Sequence, residues 1–164
     1  MSDIQIGVNM GEVIQIEDGN LKAEIAERIL SDLPEWFGLP DSTKDYIEKS
    51  RGMPFFAYYK NNQYIGFASL KETSEDTIEI FVMGVLKEYH RNKIGEELFK
   101  YFRSYAKEKG YSFLQVKTVE EGRYEEYDRT RLFYERMGFK KLECFPTLWD
   151  AWNPCLIMVQ SLNP

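Results

Sequence analysis

Between residues 77 and 119 the hydrophobic period changes twice, and few architectures accommodate that order. Thr77 to Leu86 alternates with period two, placing Glu79, Phe81, Met83 and Val85 on one face and Ile78, Ile80 and Val82 on the other. The polar run K-E-Y-H-R-N-K-I-G breaks the alternation. Ile94, Leu98, Phe102 and Tyr105 then recur at helical spacing until Gly110, after which Tyr111 to Val119 reads as a strand again. Strand, helix, strand in this order is expected to form a right-handed crossover between parallel strands.

The segments on either side fit a mixed sheet. Residues 12 to 17 alternate as a first strand, and D-G-N after them is turn chemistry. Leu21 to Leu30 reads as a helix with Leu21, Ile25, Ile29 and Leu33 on one face, closed by Pro34, and Ser42 to Lys49 as a second helix capped by Asp41 or Ser42. Phe55 onward is a hairpin turning at Asn61-Asn62, where asparagine tolerates positive φ, and Glu72 to Asp76 makes the next turn. Beyond the crossover come the acidic loop Glu120 to Glu126, a helix Asp128 to Met137 ended by Gly138, and strands Phe139 to Phe145 and Leu156 to Leu162. The expected fold is an α/β (α+β mixed) sheet, antiparallel at its N-terminal strands and parallel at its central β-α-β crossover. The length of 164 residues points to a single domain over 1–164.

Composition then removes function classes. Hydrophobic residues at 43% argue against disorder, and the absence of a long charge-free apolar run gives the expectation of a soluble, cytoplasmic chain with no membrane partner. Cys144 and Cys155 lie far from any histidine cluster, so no metal is expected and both read as core residues. His90 is the only histidine, with no nucleophile elbow near it, which leaves little room for a Ser-His or Cys-His hydrolase. A net charge of -6 is wrong for coating nucleic acid and suits a cationic partner such as an amine.

The junction from Val82 to Glu97 carries the first chemistry. A strand that enters a helix through a short polar turn offers unpaired N–H groups and the positive end of the helix dipole to an anion. A pyrophosphate fits such a place, with Arg91 and Lys93 adding charge and Gly95 admitting the ligand to the backbone. A basic turn that only caps the helix is the other reading of the same residues.

The run I-E-I-F-V-M-G-V-L-K-E-Y-H-R-N-K-I-G-E-E-L-F, followed by T-R-L-F-Y-E-R-M-G-F, resembles the Gcn5-related N-acetyltransferase (GNAT) superfamily. The resemblance implies acetyl-CoA as acyl donor, its pyrophosphate held by a Q/R-x-x-G-x-G/A turn. Here that turn is His90-Arg91-Asn92-Lys93-Ile94-Gly95, with Glu96 following. His90 stands where Gln or Arg is usual, and Lys93 at the first glycine. The resemblance also implies that the preceding strand splays, so that backbone groups of Met83, Gly84 and Val85 take the pantetheine arm. Gly84 fits either such a bulge or a close packing under a helix.

The resemblance gives two residues catalytic roles. Tyr134 is the tyrosine of Y-x-x-x-G-F that protonates the departing thiolate, a sensible donor because phenol and thiol pKa values are about 10 and about 8.5. Glu79 stands where the histone-acetylating branch has its general base; the alternative is a solvated glutamate beside Glu75 and Asp76. Tyr127 replaces the asparagine that often precedes the tyrosine by seven positions. Trp36, Phe37, Tyr124, Trp149 and Trp152, with Glu120, Glu121, Glu125 and Glu126, form an aromatic and acidic amine pocket or else act as core anchors and a solvated loop. The expected function is direct acetyl transfer to a primary amine of a small molecule. A protein amine as acceptor and a non-catalytic acyl-CoA-binding module are the two alternatives, and self-association to a homodimer is left open.

Overall fold

The computed structural model describes residues 11–163. In chain order these form β1 (Glu12–Gln15), α1 (Gly19–Ser31), α2 (Pro40–Ser50), β2 (Phe55–Lys60), β3 (Gln63–Glu72), β4 (Thr77–Val85), a 3-10 turn (Lys87–Tyr89), α3 (Ile94–Glu108), β5 (Phe113–Val119), α4 (Glu125–Arg136), β6 (Lys140–Asp150) and β7 (Asn153–Ser161). The strands run in the order β1-β2-β3-β4-β5-β7-β6. β4 and β5 pair in parallel, while β1–β2, β2–β3, β5–β7 and β6–β7 pair antiparallel. The mixed α/β sheet and its central parallel crossover are therefore as the sequence pattern requires. The described residues gather into two compact units, one of residues 11–70 together with Val82–Phe102, the other of Lys71–Phe81 and residues 103–163.

In the first unit α1 starts earlier than the apolar pattern suggests. Asp18 is its N-cap, its Oδ1 accepting from the Asn20 and Leu21 N–H groups at 2.7 and 3.1 Å, so D-G-N is a capped helix start and not a free turn. Ile25, Ala26, Ile29 and Leu30 are buried, and Leu33 just past the helix end joins them. α2 begins at Pro40 with Leu39 at the cap position and no side-chain cap, so neither Asp41 nor Ser42 caps it. Proline's fixed φ and missing N–H suit that first helical position. The β2–β3 hairpin turns where expected, with Asn61 at φ 53° and Asn62 at φ 61°, the twin positive φ of a type I′ turn. Phe55 and Phe67 stack at 5.2 Å within its core.

In the second unit the parallel ladder joins Thr77–Ile80 to Phe113–Val116, and β4 runs on to Val85 beyond it. β7 lies between β5 and β6, paired to β5 from Phe113↔Ser161 to Val119↔Cys155. β6 is longer than its apolar residues suggest. Its register with β7 is irregular between Phe145 and Asp150, and Asp150 Oδ1 closes the turn by accepting from the Trp152 and Asn153 N–H groups, each at 2.9 Å. Cys155 is buried, which pushes its thiol up to about 11, but Cys144 on β6 is only half-buried and is no core residue. Among the described residues no helix is long and apolar enough to cross a membrane, and no cluster of His, Cys, Asp or Glu could hold a metal ion.

Candidate active-site elements

The turn before α3 has an unusual backbone. Arg91 sits at φ 69° and Lys93 at φ 61°, both in the left-handed region that side chains with a Cβ avoid. Such a residue costs about 1–2 kcal/mol, and two in one turn mark a shape the chain holds against local preference. Successive backbone N–H groups around left-handed residues converge into a concavity that suits an anion. α3 adds to it, because the first helical bond of its opening turn runs from Glu97 N–H to the Lys93 carbonyl at 3.1 Å, and the N–H groups of Ile94, Gly95 and Glu96 precede it. Arg91 and Lys93 are exposed, and no ion pair takes either among the described residues.

Not every residue of this stretch faces the turn's opening. Ile94 is buried at the start of α3, where it, Leu98 and Val85 surround Gly66 closely enough that a Cβ on that glycine would lie 3.2–3.3 Å from them. Its contribution to the turn is thus its backbone. Gly84 is packed under α1, a Cβ there meeting Leu33 Cδ1 at 3.0 Å and Ile29 Cγ2 at 3.2 Å, so helix packing accounts for the missing side chain. Met83 and Val85 are half-buried, and Glu96 pairs with Lys100 at 3.4 Å.

His90 turns back on the strand. Its Nε2 lies 2.7 Å from the Val85 carbonyl, and its ring meets Trp36 edge-on at 6.0 Å. The 3-10 turn between them is tied down as well: Asp32 accepts from the Lys87 N–H at 2.8 Å, and the Lys87 ammonium pairs with Glu35. The lysine's hydrogen bond holds the Glu35 carboxyl below its usual value. Asp32, Glu35 and Lys87 carry no period or motif, so the sequence alone did not mark them.

In the second unit Tyr134 is placed by a helix cap. Gly138 at φ 101° closes α4: Phe139 N–H donates to the Tyr134 carbonyl at 3.0 Å and Gly138 N–H to that of Glu135 at 3.1 Å. That pair of bonds is the Schellman arrangement, and the edge contact of the Tyr134 and Phe139 rings at 5.6 Å is the apolar contact that accompanies it. Spacing in Y-x-x-x-G-F is therefore a capping geometry, which fixes where the tyrosine ring lies. Tyr127 on the same helix meets Tyr124, the residue at the helix's N-cap, with ring centroids 6.0 Å apart.

Glu79 is not a solvated glutamate. It is 4% exposed, its Oε1 accepting from Gln115 Nε2 at 2.8 Å and lying 3.2 Å from Lys117 Nζ. Parallel register puts Glu79 beside Gln115, and the period of β5 brings Lys117 to the same face. Finding these partners from sequence would have needed that register. The residues expected to flank an acceptor divide between the units. Trp36 and Phe37 are half-buried in the first; in the second Tyr124, Trp149 and Trp152 are exposed, Trp152 by 79%, so these three are not core anchors. Glu121 pairs with Arg131 and Lys141, and Glu125 with Arg129.

The model of the Acetyltransferase (GNAT) family matches residues 23–139. The chain belongs to the GNAT acetyltransferase family. No curated protein matches it by sequence. Solved structures share the GNAT fold with it. An aminoglycoside 6'-N-acetyltransferase complexed with coenzyme A is 17% identical, with a TM-score of 0.74 over 93% of this chain and 98% of that one. An aminoglycoside 6'-N-acetyltransferase from Enterococcus faecium is 15% identical, with a TM-score of 0.74 over 93% and 98%. The ribosomal-protein-S18-alanine N-acetyltransferase from Escherichia coli is 18% identical, with a TM-score of 0.70 over 94% and 96%.

Within the GNAT pattern, Lys93 takes a glycine's position and also a glycine's φ. A left-handed φ is one that glycine adopts freely, so this position combines a lysine's charge with a conformation that a glycine would hold without strain.

Proposed function

We propose that this GNAT protein, as one domain over 1–164, transfers acetyl from acetyl-CoA directly to a primary amine of a small molecule. The observation that carries the reading is the turn with left-handed Arg91 and Lys93 at the head of α3. Its N–H groups and the charges of Arg91 and Lys93 suit a pyrophosphate, and a strained backbone is worth holding where a ligand repays it. In this reading His90 supports the turn through the Val85 carbonyl, while Asn92, Ile94, Gly95 and Glu96 offer backbone. Met83, Gly84 and Val85 take the pantetheine arm, which the end of the β4–β5 ladder at Ile80 supports.

Acetyl-CoA supplies an activated thioester. The chain's residues orient it, move protons and exclude water. Tyr134 donates its phenolic proton to the sulfur as the C–S bond breaks, and the second proton that the attacking nitrogen sheds on becoming an amide restores the phenol through water. Glu79, oriented by Gln115 and Lys117, takes the proton of the ammonium through water, so that the free amine attacks. An acidic chain with exposed Tyr124, Trp149 and Trp152 suits a cationic acceptor, and two of the related structures act on aminoglycosides.

Calorimetry with acetyl-CoA followed by a thiol-release assay over a panel of small amines and lysine peptides tests the proposal. Saturable binding with release on small amines supports it. Binding without release on any amine makes the chain a sensing module, and release on peptides alone makes it a protein acetyltransferase.

A further inference from the structure

Arg103 and Lys140 are cations without a carboxylate partner. No ion pair among the described residues involves either. Both line the same open groove, of about 540 Å³, at the Phe113 end of β5. The volume lies in the range of about 300–1,000 Å³ typical of small-molecule sites.

The groove is built and not merely basic. Gln160 is 9% exposed, its Oε1 accepting from Arg103 Nε at 2.9 Å and its Nε2 donating to the Met137 carbonyl at 3.1 Å. Fixed at both ends, the carboxamide fixes the guanidinium. One of the five guanidinium N–H groups is spent on Gln160, and the four on the terminal nitrogens remain for a ligand. Phe113, 45% exposed, and Met137 give apolar walls, and Gly138 contributes no side chain beside Gln160.

We propose that this groove binds a small organic acid, its carboxylate held by Arg103 and Lys140 and its apolar body resting on Phe113 and Met137. A planar guanidinium with one edge pinned matches a carboxylate in two parallel hydrogen bonds, and the second cation completes the neutralisation. The site is separate from the acetyl-CoA reading and stands whether or not that reading does.

The test is a two-dimensional NMR titration of the full 15N-labelled chain with 3-phenylpropionate, its neutral amide and inorganic phosphate, following the Gly138 and Ser161 amides. Saturable shifts with the carboxylate, absent with the amide and with phosphate, are expected. The Arg103→Gln, Lys140→Gln double variant should bind at least about tenfold more weakly, the loss that follows from removing charge-assisted hydrogen bonds. Lys140→Gln alone, at an exposed position on β6, serves if the double variant does not fold, and should weaken binding in the same direction. Shifts that do not saturate, equal response to the amide or to phosphate, or variants that bind as the wild type overturn the proposal. Acetyl-CoA binding measured on the same variants should stay unchanged, which separates this site from the turn at Arg91 and Lys93.

Discussion

Tyr134 and Phe139 are joined twice, once through the backbone, where Phe139 N–H donates to the Tyr134 carbonyl at 3.0 Å, and once through their rings, whose centroids lie 5.6 Å apart. Neither link uses the phenolic oxygen. Tyr134→Phe should therefore keep the cap, and a melting curve taken beside the kinetics checks that the fold is kept with it. Turnover is expected to fall by about 10²- to 10⁴-fold, the usual loss for one positioned acid. The measurement is kcat with CoA affinity on one preparation; wild-type kcat when chemistry is rate-limiting removes the role of general acid, and a fall in both quantities points to packing instead.

Gly138 is the other half of that cap, and its φ of 101° is closed to residues with a Cβ. A Cβ has room there, with nothing closer than 3.8 Å, so Gly138→Ala isolates the backbone effect. It should destabilise by about 1 kcal/mol or more and lower the melting temperature by about 2–4 °C per kcal/mol. An unchanged melting temperature would show that α4 ends without needing the left-handed residue.

Lys93 asks the converse question. Lys93→Gly relieves a left-handed residue of about 1 kcal/mol of strain while removing one positive charge from the turn. The variant is expected to melt no lower than the wild type and to bind acetyl-CoA more weakly, with a flatter dependence on salt. Tighter binding than the wild type would mean that the lysine's charge contributes nothing to the anion and that only the backbone shape matters.

How much of this was legible follows from how local each cause is. The Asn61-Asn62 turn, the Gly138 cap and the period changes around α3 are set by neighbouring residues, and their positions could be read from them. Asp18-Gly19-Asn20 was ambiguous because the same three residues make a turn or cap a helix, and only the Asp18 side chain's bonds to Asn20 and Leu21 decide it. The place of β7 between β5 and β6 is set by pairing across the sheet, as is the burial of Glu79 beside Gln115 and Lys117. No period in either strand encodes that register. Lys93 was read as a departure from the motif, since a sequence gives residue types and not φ.

Gly95 tests the turn directly. It lies at the second position of α3, in the part of the turn where the backbone would meet a pyrophosphate, and a branched side chain there keeps the ligand off. Acetyl-CoA should raise the wild-type melting temperature, by an increment that grows with the logarithm of its concentration above Kd. Gly95→Val should fold and lose that increment. If it folds and shows the full shift, the pyrophosphate binds elsewhere.

In the proposed mechanism Glu79 takes the remaining step, and its surroundings make the test specific. Glu79→Gln keeps a side chain that can still accept from Gln115, but it deprives Lys117 of its partner, so stability must be measured alongside activity. If Glu79 takes the proton of the incoming ammonium, the acidic limb of the pH profile of kcat/KM contains its ionisation, with activity lost as the carboxylate is protonated. Glu79→Gln should then lower kcat/KM and remove that limb, leaving activity that rises with pH as the amine itself deprotonates in bulk water. A Lys117→Met variant breaks the same ion pair from the other side and leaves the carboxylate in place; it should retain the limb. Should Glu79→Gln instead lose stability as Lys117→Met does while its pH profile keeps the wild-type shape, Glu79 is a structural partner of Lys117 and Gln115, and the amine is deprotonated by another group or by water.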